Sequence, residues 1–173
     1  MCSTISRSKS PINRLATVHL LRVLQLARTI LLMLTLFWLA PLVAAADPAA
    51  DVEQILRDIR QDQPMPTLDY LRQATPINRD CAYFQGEYRG IGITVETHPH
   101  SPRVASLLLQ LPGPNQTRQL LPAVARVLGP PQASDPKHSV YGWEWAAYRT
   151  ASLHYAPGGG GQAGFTIVSL FYR

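Results

Sequence analysis

The chain has 173 residues, of which 16 are basic and 11 acidic, for a formal net charge of +5. Five of the basic residues and none of the acidic ones precede Asp47, so the remainder has 16 − 5 = 11 basic against 11 acidic residues and no net charge. Nucleic-acid binding needs a surplus of Lys and Arg to neutralise phosphates. The neutral remainder therefore argues against a nucleic-acid partner.

Residues 28–46 have the layout of an export signal. Basic residues precede an apolar run, and small residues close it at Ala44-Ala45-Ala46. Cleavage after Ala46 would make Asp47 the N-terminus of a periplasmic or secreted protein. The alternative is an inner-membrane anchor that is not cleaved, because the apolar span 29–46 is about the minimum for a spanning helix. Either way, we expect contact with the membrane only through residues 1–46.

Residues 47–173 are expected to form a single domain of 173 − 46 = 127 residues. Cys81 is its one cysteine, so no disulfide can form within it. The apolar sequence 82–84 follows Cys81 and favours a buried, inert thiol over a reactive one.

Two segments predict amphipathic helices. The first, 51–60, has apolar residues at helical spacing and Asp51 as a candidate N-cap. The second, 117–128, is stopped by Gly129, and its Pro122 favours a regular start later than Thr117.

Segments rich in aromatic and β-branched residues predict three strands after each helix. They are 82–89, 91–97 and 103–111 in the first half, and 140–148, 151–155 and 165–172 in the second. The residues 67–74, between the first helix and its strands, could form another short helix.

The order of these elements predicts an α+β fold of two αβββ-like halves, about 51–111 and 112–173. We expect one antiparallel sheet with the helices packed on one face. Tyr88-Arg89 recurs as Tyr148-Arg149, an offset of 148 − 88 = 60 residues, and the same offset aligns Ile93 with Leu153. Duplication of one unit would explain this recurrence, although the element order stands without it.

No catalytic constellation is evident. The nearest candidate for a metal or hydrolytic site is His98-Pro99-His100 with Glu96, which is more typical of a solvated polar turn. Gly158–Gly161 lies between two strand-like segments and indicates a hairpin connection, not a phosphate-binding loop. We therefore expect no enzyme activity, no metal and no cofactor.

The aromatic residues of the second half are its most distinctive feature. Tyr141, Trp143 and Trp145 alternate, so in a strand they would share one face. That face is either core under the helices or a recognition surface, since Trp and Tyr dominate binding hot spots. The candidate partner-binding residues are Tyr141, Trp143, Trp145, Tyr148, Arg149 and Tyr155.

Leu128-Gly129-Pro130-Pro131, followed by Tyr141-Gly142-Trp143-Glu144-Trp145 and two further strands, resembles the β-lactamase-inhibitor-protein and outer-membrane-assembly lipoprotein superfamily. The resemblance implies a tandem αβββ module that binds proteins through its sheet face. The first half lacks the Leu-Gly-x-Pro turn, and neither the inhibitors' disulfides nor the lipid-bearing cysteine of the assembly factors has a counterpart here.

The resulting expectation is an exported, non-enzymatic protein-binding module. Its partner would be another protein, such as an envelope-targeting enzyme or effector that it blocks as an inhibitor or immunity protein. The alternative is an envelope structural or assembly factor tethered by an uncleaved N-terminal segment.

The mass of the protein purified from its native cells distinguishes these alternatives. We expect residues 1–46 to be absent and Asp47 to be the first residue, because Ala44-Ala45-Ala46 suits a signal peptidase. A mass that includes residues 28–46 would instead indicate the tethered protein.

Overall fold

Two helices and one eight-stranded sheet make up residues 47–172, which are the residues described by the computed structural model. The proposed export signal, residues 1–46, lies outside them. In chain order the elements are α1 (Pro48–Asp58), β1 (Leu71–Ala74), β2 (Tyr83–Tyr88), β3 (Ile91–Thr97), β4 (Val104–Pro112), α2 (Thr117–Leu128), β5 (Ala133–Asp135), β6 (Val140–Glu144), β7 (Arg149–Ala156) and β8 (Phe165–Tyr172).

The strands pair in the order β1-β2-β3-β4-β8-β7-β6-β5, and every pairing is antiparallel. The fold class is therefore α+β, as the sequence predicted. Four strands follow each helix instead of three, because the sequence prediction omitted β1 and β5. These two are the edges of the sheet, and at 4 and 3 residues they are its shortest strands.

The two faces of the sheet differ in burial. Ile93, Leu109, Val168 and Leu153 are paired side by side across β3, β4, β8 and β7, and none is more than 2% exposed. They form one core with the apolar side chains of both helices. The residues next to them in sequence point to the opposite face and are half-buried, as in the alternating pattern of β3. Both helices thus pack on the same face.

Helix α1 begins earlier than the sequence predicted. Its N-cap is Asp47, whose carboxylate accepts a hydrogen bond from the Ala49 amide at 3.0 Å, and Pro48 occupies the first turn. Asp51, the predicted cap, lies inside the helix, where it is 5% exposed and accepts a hydrogen bond from Arg89 at 2.9 Å.

Helix α2 begins at Thr117 and includes Pro122, so the prediction of a later start was wrong. The Asn115 side chain accepts hydrogen bonds from both the amide and the hydroxyl of Thr117 and satisfies the first turn. Pro122 removes one intrahelical hydrogen bond. It lies on the exposed side of the helix, where water can bind the carbonyl left without a partner.

The short helix predicted over residues 67–74 is absent, and β1 takes its place. Leu71 pairs with Gly86 of β2 and buries its side chain in the core. A Cβ on Gly86 would lie 1.8 Å from the carbonyl oxygen of Tyr70, so this close approach requires glycine. Pairing with β2 therefore overrides the local helical pattern, which is flanked by prolines on both sides.

Among residues 47–172, no helix has the length and apolar character needed to cross a membrane.

Substitution of Leu109 tests the two-faced sheet. Leu109→Ala should lower the free energy of unfolding by about 2–5 kcal/mol, because it leaves a cavity in the fully buried centre. Leu108→Ala, its neighbour on the opposite face, is the matched control and should cost only about 1 kcal/mol. Chemical denaturation measures both, and equal losses would contradict a single covered face.

Candidate functional site

Tyr141 and Trp143 belong to the core. They are 5% and 1% exposed, and the indole Nε1–H of Trp143 donates a hydrogen bond to the carbonyl of Gly129 at 2.8 Å. Both lie on strand β6, on the face that packs against the helices. Neither side chain is accessible to a partner, so the contact prediction fails for these two and the core interpretation applies.

Trp145 does not continue the stripe, because β6 ends at Glu144. It lies in the turn before β7, half-buried against the core, and its amide donates to the Arg149 carbonyl at 2.9 Å. The Arg149 guanidinium carbon is 5.7 Å from the centre of the Trp145 ring, within cation–π range. The structure thus brings these two predicted residues together.

Tyr148 is the most exposed of the predicted aromatic residues, at 76%. It and Ala147 both have a φ of +61° in the turn between β6 and β7. Two consecutive left-handed residues usually include glycine or asparagine, since a side chain makes this conformation costly. The turn therefore holds the Tyr148 ring in solvent at a conformational cost.

Tyr155 lies far along β7 from this turn. It pairs with Thr166 and packs over Gly164, where an added Cβ would approach the Tyr155 hydroxyl to 2.3 Å. Its half-buried ring covers the connection to β8 that contains the Gly158–Gly161 run, as expected for a hairpin. Tyr155 is thus separated from Tyr148 by the length of a strand.

A groove of about 420 Å³ opens beside Trp145 and Arg149. We call it the arginine groove, and it lies between the C-terminal ends of the two helices and the end of β8. Its apolar residues are Leu56, Ile59, Val127, Leu128, Trp145 and Leu170, and its polar ones are Arg57, Arg60, Gln61, Gln63, Arg126 and Arg149. Its size is that of a small-molecule pocket.

The sequence analysis selected only Trp145 and Arg149 from this groove. The one available signal was that each helix carries an arginine in its last turn, Arg57 in α1 and Arg126 in α2. Basic residues are common there because they offset the helix dipole, so the signal did not distinguish a site.

The carboxylate of Glu53 lies between two of the four arginines. It is 2.7 Å from Arg57 and 2.6 Å from Arg126, and these two hydrogen bonds lower its pKa. The Nε–H of Arg60 donates to the Arg57 carbonyl at 3.0 Å. This arrangement ties the arginines to the helix ends and leaves most of their N–H groups free of a printed protein acceptor.

Asp62 forms a polar cluster at one end of the groove. Its Oδ1 accepts hydrogen bonds from the Tyr172 hydroxyl at 2.5 Å and from His98 Nε2 at 3.1 Å, and Arg149 lies 3.7 Å from Oδ2. The hydrogen bond from Tyr172 is the main cause of a lowered Asp62 pKa. Burial, with a contribution from Asp62, raises the pKa of Tyr172 to about 12.

This cluster joins residues that are far apart in sequence, so no local pattern could have shown it. Asp62 itself has a φ of +64°, and its amide donates to the Val104 carbonyl at 2.9 Å. The cluster therefore attaches the loop after α1 to the ends of β4 and β8.

The histidines considered for a metal site are dispersed. His98 binds Asp62, whereas His100 lies 3.9 Å from Asp80. Glu96 contacts Cys81, which is 8% exposed, and burial followed by this carboxylate raises the pKa of the thiol. The predicted burial of Cys81 is confirmed. Within the described part of the chain, no group of three or more His, Cys, Asp or Glu side chains could hold a metal ion.

Comparisons with known proteins return no match, since no protein-family model, curated protein or solved structure is significantly similar to this chain. The superfamily resemblance therefore stays a prediction, and the structural argument depends on the residues alone.

Replacing Asp62 tests its cluster through pH. Because its folded pKa lies below the usual value of 3.8, the ionised carboxylate stabilises the fold above that pH, and this contribution is lost as the pH falls through the folded pKa. Asp62→Asn should therefore be less stable than the wild type at pH 7, with the difference shrinking towards pH 3. Thermal melts across this range measure it, with Asp69→Asn, an exposed neighbour, as the control.

A constant difference between Asp62→Asn and the wild type from pH 7 to pH 3 would contradict this role, because the amide would then act through packing alone.

Proposed function

We propose that this chain is an exported, non-enzymatic protein-binding module that contacts its partner through the turn between β6 and β7. The partner is another protein, an envelope-targeting enzyme or effector that the chain masks as an inhibitor or immunity protein. The observation that carries the proposal is the exposed Tyr148 ring, held out of the core by two left-handed residues.

Backbone strain of this kind supports a functional turn. Left-handed non-glycine residues cost about 1–3 kcal/mol each and cluster at binding sites and ligand clamps. Ala147 and Tyr148 satisfy no buried contact that would explain the cost, since both are exposed. Tyrosine is also a preferred hot-spot residue, because its large ring has few rotatable bonds and a polar end.

The uncovered face of the sheet offers additional contact area. Phe165, Phe171 and Val140 are 39%, 41% and 42% exposed. Phe171 pairs with Thr150, and Val140 pairs with His154, which pairs with Ile167, so these side chains lie opposite the helix-covered core. Exposed apolar groups on one face favour protein contact over solvent.

The two halves support a duplicated module. The order of the strands is the same from either edge of the sheet, with β4 and β8 at its centre. Ile93 pairs with Leu109 on one side of that centre, and Leu153 pairs with Val168 on the other, which agrees with the 60-residue offset.

The offset does not extend to the preceding strand. Tyr88 pairs with Ile91, and the corresponding pair is Trp143 with Ala151. Tyr88 is therefore the counterpart of Trp143, not of Tyr148. We propose that each half is one αββββ unit and that Tyr148 belongs to a turn specific to the second.

A photo-crosslinking amino acid at position 148 tests the proposal in native cells. We expect one discrete adduct with an envelope protein, because a hot-spot ring lies within the interface. Ile77, which is 86% exposed in a loop, is the matched control position and should give none.

The partner so identified then allows a quantitative test. Tyr148→Ala should weaken its binding by about 2 kcal/mol without changing the melting temperature, since the ring is outside the core. The absence of an adduct at position 148, the same adducts at position 77, or unchanged binding by Tyr148→Ala would each contradict the proposal. Turnover by the purified protein would contradict its non-enzymatic character.

A further inference from the structure

The arginine groove combines an apolar floor with a surplus of positive charge. Leu56, Ile59 and Leu170 form its most buried apolar part, at 2%, 0% and 5% exposure, and the half-buried Trp145 closes one side. Four arginines line it, and no Asp or Glu is among the lining residues. Over residues 47–173 the charges balance, so this local concentration of arginine is specific to the groove.

The neighbouring carboxylates offset only part of this charge. Glu53 is shared by Arg57 and Arg126, and Asp62 lies 3.7 Å from Arg149. Two carboxylates thus face four guanidinium groups. The Asp62 Oδ1 is already occupied by Tyr172 and His98, which reduces its pull on Arg149.

Arg60 and Arg149 are the arginines best placed to receive a ligand. Arg60 has only the Arg57 carbonyl as a hydrogen-bond acceptor, and Arg149 lies over the Trp145 ring without a close carboxylate. A guanidinium has five N–H donors and binds a carboxylate through two of them at once. Both side chains therefore retain the capacity for such a contact.

From this juxtaposition we infer that the arginine groove binds a small amphiphilic carboxylate, whose head is held by Arg60 and Arg149 and whose aliphatic chain lies on Leu56, Leu170 and Trp145. The volume of about 420 Å³ suits one aliphatic chain. Charge complementarity selects the anionic head, and the apolar floor selects the chain. This site is independent of the protein contact proposed for Tyr148.

Dodecanoate with a bromine atom at its chain end is a direct probe, because bromine quenches a tryptophan that it contacts. Titration of the purified full-length chain should quench tryptophan emission to saturation. The part due to Trp145 is the difference between the wild type and Trp145→Phe, which separates it from Trp38 and Trp143. The matching bromine-labelled alcohol has the same chain without the charge and should not saturate this difference.

The double variant Arg60→Gln, Arg149→Gln should weaken dodecanoate binding by about tenfold or more, since each removes a charge-assisted hydrogen bond. The matched control Arg79→Gln, Arg118→Gln removes two exposed arginines outside the groove and should bind as the wild type does. Tyr148→Ala should also bind dodecanoate normally, so failure of this inference and failure of the protein-binding proposal are separate results.

Quenching that persists unchanged in Trp145→Phe would place the probe elsewhere and overturn the inference. Equal affinity for the alcohol, equal loss in both double variants, or no saturation by about 1 mM probe would do the same. Circular dichroism melts of each variant confirm that binding is compared between folded proteins. If the Arg60/Arg149 variant unfolds, the comparison of dodecanoate with its alcohol on the wild type decides the outcome.

Discussion

The pairing of β4 with β8 is the contact on which the rest of the structure depends. It joins Leu107–Pro112 to Phe165–Leu170, the longest strand of the first half to the last strand of the second. Leu109 and Val168 are 168 − 109 = 59 residues apart, and both are completely buried at this contact. Without it the chain would be two four-stranded sheets, each with an exposed edge and one helix too few to cover a shared core. The conformational entropy lost in joining such distant strands must be offset by the apolar area that they bury together.

The same pairing creates the polar features of the molecule. Strand β8 ends beside the loop after α1, so that Tyr172 reaches Asp62, 172 − 62 = 110 residues earlier in sequence. Its neighbour Leu170 reaches the floor of the arginine groove. The groove is therefore a product of the way the two halves meet, and neither helix end could form it alone. A change that loosened β8 would disturb the core, the Asp62 cluster and the groove together.

The aromatic residues show how a small shift along the chain separates structure from surface. Trp143 is inside the core with its indole N–H satisfied, and Trp145, two residues later, borders the groove. The reason is that β6 ends at Glu144, so the strict alternation of a strand no longer applies at Trp145. The strained turn that follows then exposes Tyr148. One stretch of sequence thus supplies a core anchor, a groove wall and an exposed ring.

The sequence alone determined the fold class, both helices to within three residues at their starts, and the burial of Cys81, because these depend on local periodicity and polarity. It also identified Trp145, Tyr148 and Arg149 as a group, since aromatic side chains near an arginine are evident without a structure. It could not determine that Leu71–Ala74 is a strand, since only pairing with β2 and the close approach at Gly86 override the local pattern. Only the tertiary structure could decide that Tyr141 and Trp143 are covered, because alternation shows which residues share a face and not which face the helices occupy. The groove and the Asp62 cluster also required it, since their members lie in both halves of the chain and meet only when β4 and β8 pair.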